Sequence, residues 1–371
     1  MTKKLHLIIA SFWICIASSQ NGAPANPYYN GFNWTLTGTA LKNALAAKIT
    51  TTHTKFLTYA EDWSATQATD LNPTNSNDVL LVYGFSSNTC PTSTSDDNDH
   101  RERNVNSNGG ANTCEWNREH VYAKSLGTPV LVDGALTSAD SDAGEDAHHI
   151  RSADVDRNAN RGNSKFAAGT GNSGNVTGGW YPGDEWKGDI ARMMMYMYLR
   201  YGTQCLPINV GTGSTVASDS NMLQLFLQWN ADDPVSQYED NRNTYHGNTS
   251  NTYAQGNRNP FIDNPYLATV IWGGPIAENR WPTVFLSSQS FLTDTAIQVY
   301  PNPTNNGTVF IQTTESIELV RIMNVNGQVI RVIDNPLFNE NVFEISNLQQ
   351  GFYLLELRNS KGTLTKKVVV N

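Results

Sequence analysis

The chain has 371 residues, of which 39% are hydrophobic and 16% charged, with a formal net charge of -9. That length exceeds one ordinary domain and suits two, and the composition is that of a globular protein, not a disordered one. The acidic balance excludes a uniformly basic nucleic-acid binder, so any contact with phosphates has to come from a local cluster of Arg and Lys or from a bound cation.

The N-terminus opens with Lys3 and Lys4, followed by an apolar run from Leu5 to Ala17 broken only by His6 and Ser11. Such a run is too short for a bilayer, where about 20 residues are needed. With the small residues Ala17 and Ser19 behind it, it reads as a signal peptide over 1–19, cleaved after Ser19. Ile14 before Cys15 argues against a lipid anchor.

Export leaves Cys90, Cys114 and Cys205 in an oxidising compartment. A Cys90–Cys114 bridge is favoured because it would restrain the polar stretch between them, with a gain of about 3 kcal/mol from loop closure. Cys205 is then a free, buried thiol. The other two pairings stay open.

Residues 24–285 form the first expected domain, α+β in class but mainly helical. Two clusters carry its chemistry: Trp116-Asn-Arg-Glu-His120 with its flanks, and Glu145 to Asn163, which includes His148, His149, Arg151, Asn158 and Arg161. Cleaving a phosphodiester needs an activated water, counter-charge at the phosphorus and stabilisation of the departing oxygen. His120 suits the first task, because imidazole is largely neutral near pH 7. Glu119 with an amide oxygen suits a hard cation such as Mg²⁺, which takes oxygen ligands and keeps several waters. Neighbours on a strand point to opposite faces, so Glu119 and His120 must lie at a strand end or bend to serve one site. The acidic stretch from Asp133 to Asp146 carries more negative charge than a nucleic-acid groove favours.

Further on, Asp184–Tyr201 reads as a helix with Ile190, Met193, Met194, Met197 and Tyr201 on one stripe, Asp184 capping its start and Gly202 ending it. The methionines are core packing. A second helix is expected over Ser220–Trp229, and a third beginning at Asp233-Pro234 as N-cap and first turn. Asn259 and Asp263 are expected to fix the fold.

From about Ser290 the pattern changes to short strands: Ile297–Tyr300, Thr308–Gln312, Glu318–Val325, Val329–Ile333, Val342–Ile345, Phe352–Leu357 and Thr363–Val370. Asn326-Gly327 between two apolar runs signals a type I′ hairpin. A small all-β sandwich over 290–371 follows, with no ionisable cluster.

Two family resemblances rest on these motifs. Trp116-Asn-Arg-Glu-His120, Ala147-His-His-Ile-Arg151, Asn158-Ala-Asn-Arg-Gly-Asn163, Lys187-Gly-Asp-Ile-Ala-Arg192 and Gln255-Gly-Asn-Arg-Asn-Pro-Phe-Ile-Asp263 resemble the endonuclease I family, exported nucleases with a ββα-metal site. The resemblance implies His120 as general base, and Glu119 and Asn158 as ligands of a divalent cation, usually Mg²⁺, with Ca²⁺ or Mn²⁺ as alternatives. It also implies water as nucleophile and products ending in 5′-phosphate. Arg118, Arg151 and Arg161 are the candidates to meet the substrate, with Arg151 and Arg161 equally open to pairing with Asp146, Asp154 or Asp156. His148 and His149 are expected to support the site from behind. No residue matches the family's leaving-group arginine, and Tyr122-Ala-Lys124 stands where relatives often carry Trp-Pro-Lys. The tail, with Val299-Tyr-Pro-Asn-Pro303, Val325-Asn-Gly-Gln328, Leu348-Gln-Gln-Gly-Phe-Tyr-Leu354 and Lys366-Lys-Val-Val-Val370, resembles the Por-type (type IX) secretion sorting domain. It implies secretion to the outside or the cell surface, with the type IX machinery as partner and no stable membrane insertion. The expected activity is a metal-dependent endonuclease of low sequence specificity acting on DNA, with RNA as a second substrate. The rivals are an extracellular zinc-dependent hydrolase, for which His148-His149 lacks a zinc signature, and a non-catalytic adhesive protein carrying a sorting tail.

Overall fold

The computed structural model describes residues 23–87, 98–109, 114–133, 142–285, 297–325, 327–359 and 362–371. The signal segment and Cys90 lie outside them. Cys114 is disulfide-bonded, Cys205 is a free buried thiol, and the identity of Cys114's partner falls outside the described residues. Two compact units divide the chain between Pro282 and Thr283.

In the first unit the elements run α1 (Gly38–Thr52), α2 (Glu61–Thr69), β1 (Leu71–Asn72), β2 (Asn75–Leu80), β3 (Glu102–Asn104), β4 (Trp116–His120), β5 (Ile150–Asp154), α3 (Val155–Arg161), β6 (Gly174–Val176), β7 (Gly179–Tyr181), α4 (Lys187–Tyr201), α5 (Pro207–Val210), β8 (Thr215–Val216), β9 (Asp219–Leu223), α6 (Gln224–Asp232), α7 (Gln237–Gly247), α8 (Pro260–Asp263) and α9 (Tyr266–Trp272). Its strands form one three-stranded sheet, β1-β2-β3, and three antiparallel pairs, β4-β5, β6-β7 and β8-β9. The core is built on α4, buried on every side from Gly188 to Leu199, its two buried charges, Asp189 and Arg192, held in ion pairs with Arg151 and Glu239. Helix α1 turns Leu41, Leu45 and Ile49 inward at a spacing of four. Gly202, at φ 53, ends α4, its N–H bonded to the Tyr198 carbonyl.

Three sequence expectations shift, each for a local reason. Helix α4 begins at Lys187, not Asp184. The Asp184 carboxylate instead accepts from the Tyr181 hydroxyl and the Gly171 N–H. The first turn of α4 is served by Asp233, whose Oδ2 accepts from Gly188 N at 2.8 Å. Asp233 is thereby diverted from capping its own helix. Helix α7 starts three residues later behind Ser236, which with Glu239 forms a capping box. The first part of the expected Ser220–Trp229 helix is strand β9, folded back on β8 by a tight turn at Ala217-Ser218, with Asp219 at the start of β9 accepting from Asn221 N. The helix proper is α6.

The second unit is a sandwich of two antiparallel sheets, β10 (Ile297–Tyr300)-β11 (Val309–Thr313)-β14 (Val342–Ile345) and β13 (Val329–Asp334)-β12 (Leu319–Asn324)-β15 (Gly351–Asn359)-β16 (Gly362–Val370). Alternate residues point inward and form one core of Ile297, Val309, Ile311, Val320, Ile322, Leu355, Leu357 and Val368. All seven expected strands are present, with ends within about two residues of the sequence reading. Gly327, at φ 78, makes the β12–β13 turn. Among the described residues no helix is long and apolar enough to cross a membrane.

Candidate active site

Strands β4 and β5 pair antiparallel with Glu119 opposite Arg151 and His120 opposite Ile150, and α3 follows β5 without a break. This is a ββα unit. The alternation of β4 assigns its side chains to two faces: Asn117 and Glu119 to one, Trp116, Arg118 and His120 to the other. Glu119 and His120 occupy the last two positions of β4, the strand end at which neighbours of opposite face can serve one site.

Helix α3 packs on the first of these faces. Asp154 caps it, accepting from Arg157 N at 2.8 Å, so Asn158 and Arg161, three apart, share one side of the helix. Asn158 Nδ2 donates to Asn117 Oδ1 at 2.8 Å, which leaves its carbonyl oxygen without a hydrogen bond among the described residues. Arg161 is buried and forks across the strand end: Nη1 donates to Glu119 Oε1 (3.0 Å) and the His120 carbonyl (3.2 Å), Nη2 to the Val121 carbonyl (2.9 Å). The Tyr83 hydroxyl donates to the same Glu119 oxygen at 3.0 Å, and Oε2 has no such partner among the described residues. Burial pushes the Glu119 carboxyl up to about 7, against the opposing pull of Arg161 and Tyr83. A carboxyl so placed gains from a cation on its second oxygen.

On the opposite face, His120 Nε2 donates to the Gly144 carbonyl at 2.8 Å. A carbonyl can only accept, so Nε2 carries the hydrogen and Nδ1 keeps the lone pair. Burial, with His149 adding to it, lowers the His120 imidazole to about 3, and the ring is neutral at neutral pH. His149, its ring 5.7 Å from that of His120, donates Nε2–H to the preceding carbonyl, Ala143, at 2.7 Å. Two imidazoles thus hang from consecutive carbonyls of the Asp142–Gly144 turn. His148 is directed elsewhere, its Nε2 to the oxygens of Asn257.

The three arginines expected near the substrate separate clearly. Arg151 is wholly buried, donating to the Tyr238 hydroxyl at 2.8 Å and Asp189 at 3.1 Å. That position corrects the expectation of a phosphate contact, and its partner is none of Asp146, Asp154 or Asp156. Arg161 is likewise buried, paired with Glu119. Arg118 is half-buried, bonded to the Tyr59 carbonyl, and has no carboxylate ion pair among the described residues. Arg151→Ala is expected to destabilise the protein by about 3 kcal/mol by removing the nearer of the two guanidinium partners of buried Asp189 and the donor to Tyr238, read as a lowered unfolding midpoint with kcat retained by the folded fraction.

Two contributors carry no chemical signature in the sequence. Gly144 lends the carbonyl that holds His120, and a Cβ there would lie 2.2 Å from the Val132 carbonyl oxygen, so only glycine allows that approach. Tyr83 sits at φ 74, a backbone state that bulky residues adopt only when their surroundings enforce it. Its neighbour Gly84 marks the turn, but nothing in the sequence ties the phenol to Glu119. Asn259 and Asp263 do fold-fixing work: Asn259 caps α8, and Asp263 pairs with Arg258 and accepts from the Tyr29 hydroxyl.

A family model described as Endonuclease I matches residues 37–266, more than half of the chain and the whole ββα unit. The chain belongs to the endonuclease I family. A second model, the secretion system C-terminal sorting domain, matches residues 298–371. Two similar proteins are extracellular ribonucleases: that of Bacillus amyloliquefaciens, 39% identical over 63% of this chain and 74% of its own, and that of Bacillus subtilis, 38% identical over 69% and 87%. A solved chain of PorZ, a surface component of the type IX secretion system of Porphyromonas gingivalis, aligns over 22% of this chain and 12% of its own. Its identity of 18% and TM-score of 0.18 carry no argument. This endonuclease I family member is a nuclease, a phosphodiester hydrolase, secreted or displayed at the cell surface.

Proposed function

We propose that this enzyme is a divalent-metal-dependent endonuclease of low sequence specificity that cuts both RNA and DNA, with His120 as general base. One observation carries the reading: at the end of β4 a carboxylate oxygen of Glu119, the amide oxygen of Asn158 and Nδ1 of His120 are all free of hydrogen bonds among the described residues, while every neighbouring polar atom of these side chains is tied down. RNA is included because the two Bacillus relatives are named ribonucleases. DNA is included because the sequence holds no element that reads bases or selects the 2′-hydroxyl, so contacts go mainly to the backbone.

Among the described residues no group of three or more His, Cys, Asp or Glu is arranged around an ion, which disfavours a zinc hydrolase; so do His148 and His149, whose Nε2 atoms face oxygen acceptors. The donor set fits Mg²⁺ instead, an ion held by one or two protein oxygens that keeps several waters. Glu119 and Asn158 would hold it, the amide in place of a second carboxylate leaving more of its charge for the phosphate. When bound, such an ion supplies positive charge at the crowded phosphorus centre and to the departing oxygen. His120 takes the proton of the attacking water on Nδ1, and the Gly144 carbonyl stabilises the imidazolium that forms. Arg118, with no carboxylate ion pair among the described residues, offers its charge to a phosphate, and attack on the side opposite the 3′-oxygen leaves a 5′-phosphate.

Purified protein should degrade plasmid DNA and ribosomal RNA with Mg²⁺ and stop in EDTA. Asn158→Ala should raise the Mg²⁺ needed for the half-maximal rate by at least about tenfold. Intact plasmid and RNA after incubation in Mg²⁺ would overturn the proposal.

A further inference from the structure

Trp116, Arg118 and His120, on one face of β4, meet two aromatic residues, Tyr59 just before α2 and Trp63 in its first turn. The rings and the guanidinium form one continuous row of contacts. Trp116 lies 5.1 Å from Trp63, the Arg118 guanidinium 4.3 Å from Trp63 and 3.5 Å from Tyr59, and the Tyr59 ring 5.0 Å from His120 at 30°. The far end of the row is anchored, since Trp116 is fully buried and packs with Val79 and Leu81. The near end is tied twice to the ground that holds His120. Tyr59 N–H donates to Glu145 Oε1 at 2.9 Å, one residue from the Gly144 carbonyl that accepts from His120, and the Tyr59 carbonyl accepts from Arg118.

A single hydrogen bond fixes one point of an imidazole and leaves the ring free to rock about that point. An aromatic face stacked on it removes that freedom. We propose that Tyr59 is a positioning residue for hydrolysis: its ring, backed by Arg118 and Trp63, sets the plane of the His120 imidazole and so the direction of the Nδ1 lone pair. The ring does this work; the hydroxyl does not. The proposal rests on His120 being the general base.

Four proteins test it: Tyr59→Leu, Tyr59→Phe, His120→Ala and the Tyr59→Leu/His120→Ala double variant, each assayed as full-length protein on plasmid DNA in saturating Mg²⁺. Tyr59→Leu is expected to lower kcat by roughly 10- to 100-fold with KM nearly unchanged, the usual loss when a reacting group is misdirected by an ångström or less. Tyr59→Phe should restore kcat to within about twofold, and the double variant should be no slower than His120→Ala, since Tyr59 acts only through that ring. Wild-type kcat in Tyr59→Leu, a loss confined to KM, a Phe variant as slow as Leu, or equal losses with and without His120 would each overturn the proposal. If His120→Ala is itself active, the general-base reading fails, and the proposal falls with it for a separate reason. Should Tyr59→Leu not melt cooperatively, Tyr59→Met keeps the volume without the ring and takes its place.

Discussion

His120→Ala is expected to lower kcat by roughly 10²- to 10⁴-fold, the usual contribution of a general base, while the unfolding midpoint changes little. The partition follows from what the imidazole touches. Its one hydrogen bond among the described residues goes to the Gly144 carbonyl, which belongs to a turn that also carries His149 on the preceding carbonyl, so the turn keeps a support when His120 is removed. Its charge contributes nothing to folding near pH 7, because burial holds it neutral with a titration near 3. Catalysis depends on the lone pair at Nδ1. Steady-state kinetics on plasmid in saturating Mg²⁺, with a thermal melt of the same preparation, check both halves. A variant that keeps wild-type kcat would remove the base from the mechanism; one that melts early would make His120 a structural residue.

The grouping of the candidate site residues was legible where motif and charge coincide. Glu119, His120 and Asn158 stand in the sequence as a carboxylate beside an imidazole and an amide about forty residues on, and the fold assembles them on one ββα unit. Alternation puts Glu119 and His120 on opposite faces, so a strand end or bend is required of them only if both serve one site. The arginines were not legible, because a guanidinium near carboxylates in sequence does not say which carboxylate it meets. Arg151 finds Asp189 on α4, and Arg161, from α3, finds Glu119 on β4. Gly144, Tyr83 and Tyr59 were missed for a related reason: each contributes a carbonyl, a phenol or a ring face whose value exists only after long-range packing. In the fold, the seven strands of the tail were readable from alternation because each sheet buries one face. The helix starts were displaced because Asp184 and Asp233, both good caps by type, are engaged by Tyr181 and by the α4 terminus respectively. Local propensity proposes a cap; the nearest unsatisfied N–H decides which one is used.

Arg161→Ala is expected to destabilise the first unit by about 3–5 kcal/mol, the range for breaking a buried ion pair from one side. For a domain of this size that is a fall in melting temperature on the order of 10 °C. The guanidinium is 1% exposed and its partner Glu119 4%, so solvent cannot take its place. Removing it leaves Glu119 with Tyr83 as its remaining donor and takes the Arg161 donor from the carbonyls of His120 and Val121, at the junction where α3 rests on β4. Glu119 is already raised to about 7 by burial with Arg161 opposing, so without Arg161 its carboxyl moves further upward and is protonated through the neutral range. A protonated Glu119 is a poor ligand for a cation. The folded fraction should therefore need more Mg²⁺ as well as melt earlier, and the extra requirement should ease as pH rises and the carboxyl ionises. Arg161→Lys separates charge from shape: it keeps the positive charge but loses the planar fork that reaches Glu119 and both carbonyls at once. Lysine should recover part of the Mg²⁺ affinity and little of the stability. A lysine variant as stable as wild type, measured by thermal and urea melts, would show that the fork is dispensable and that charge alone holds α3 on the strand.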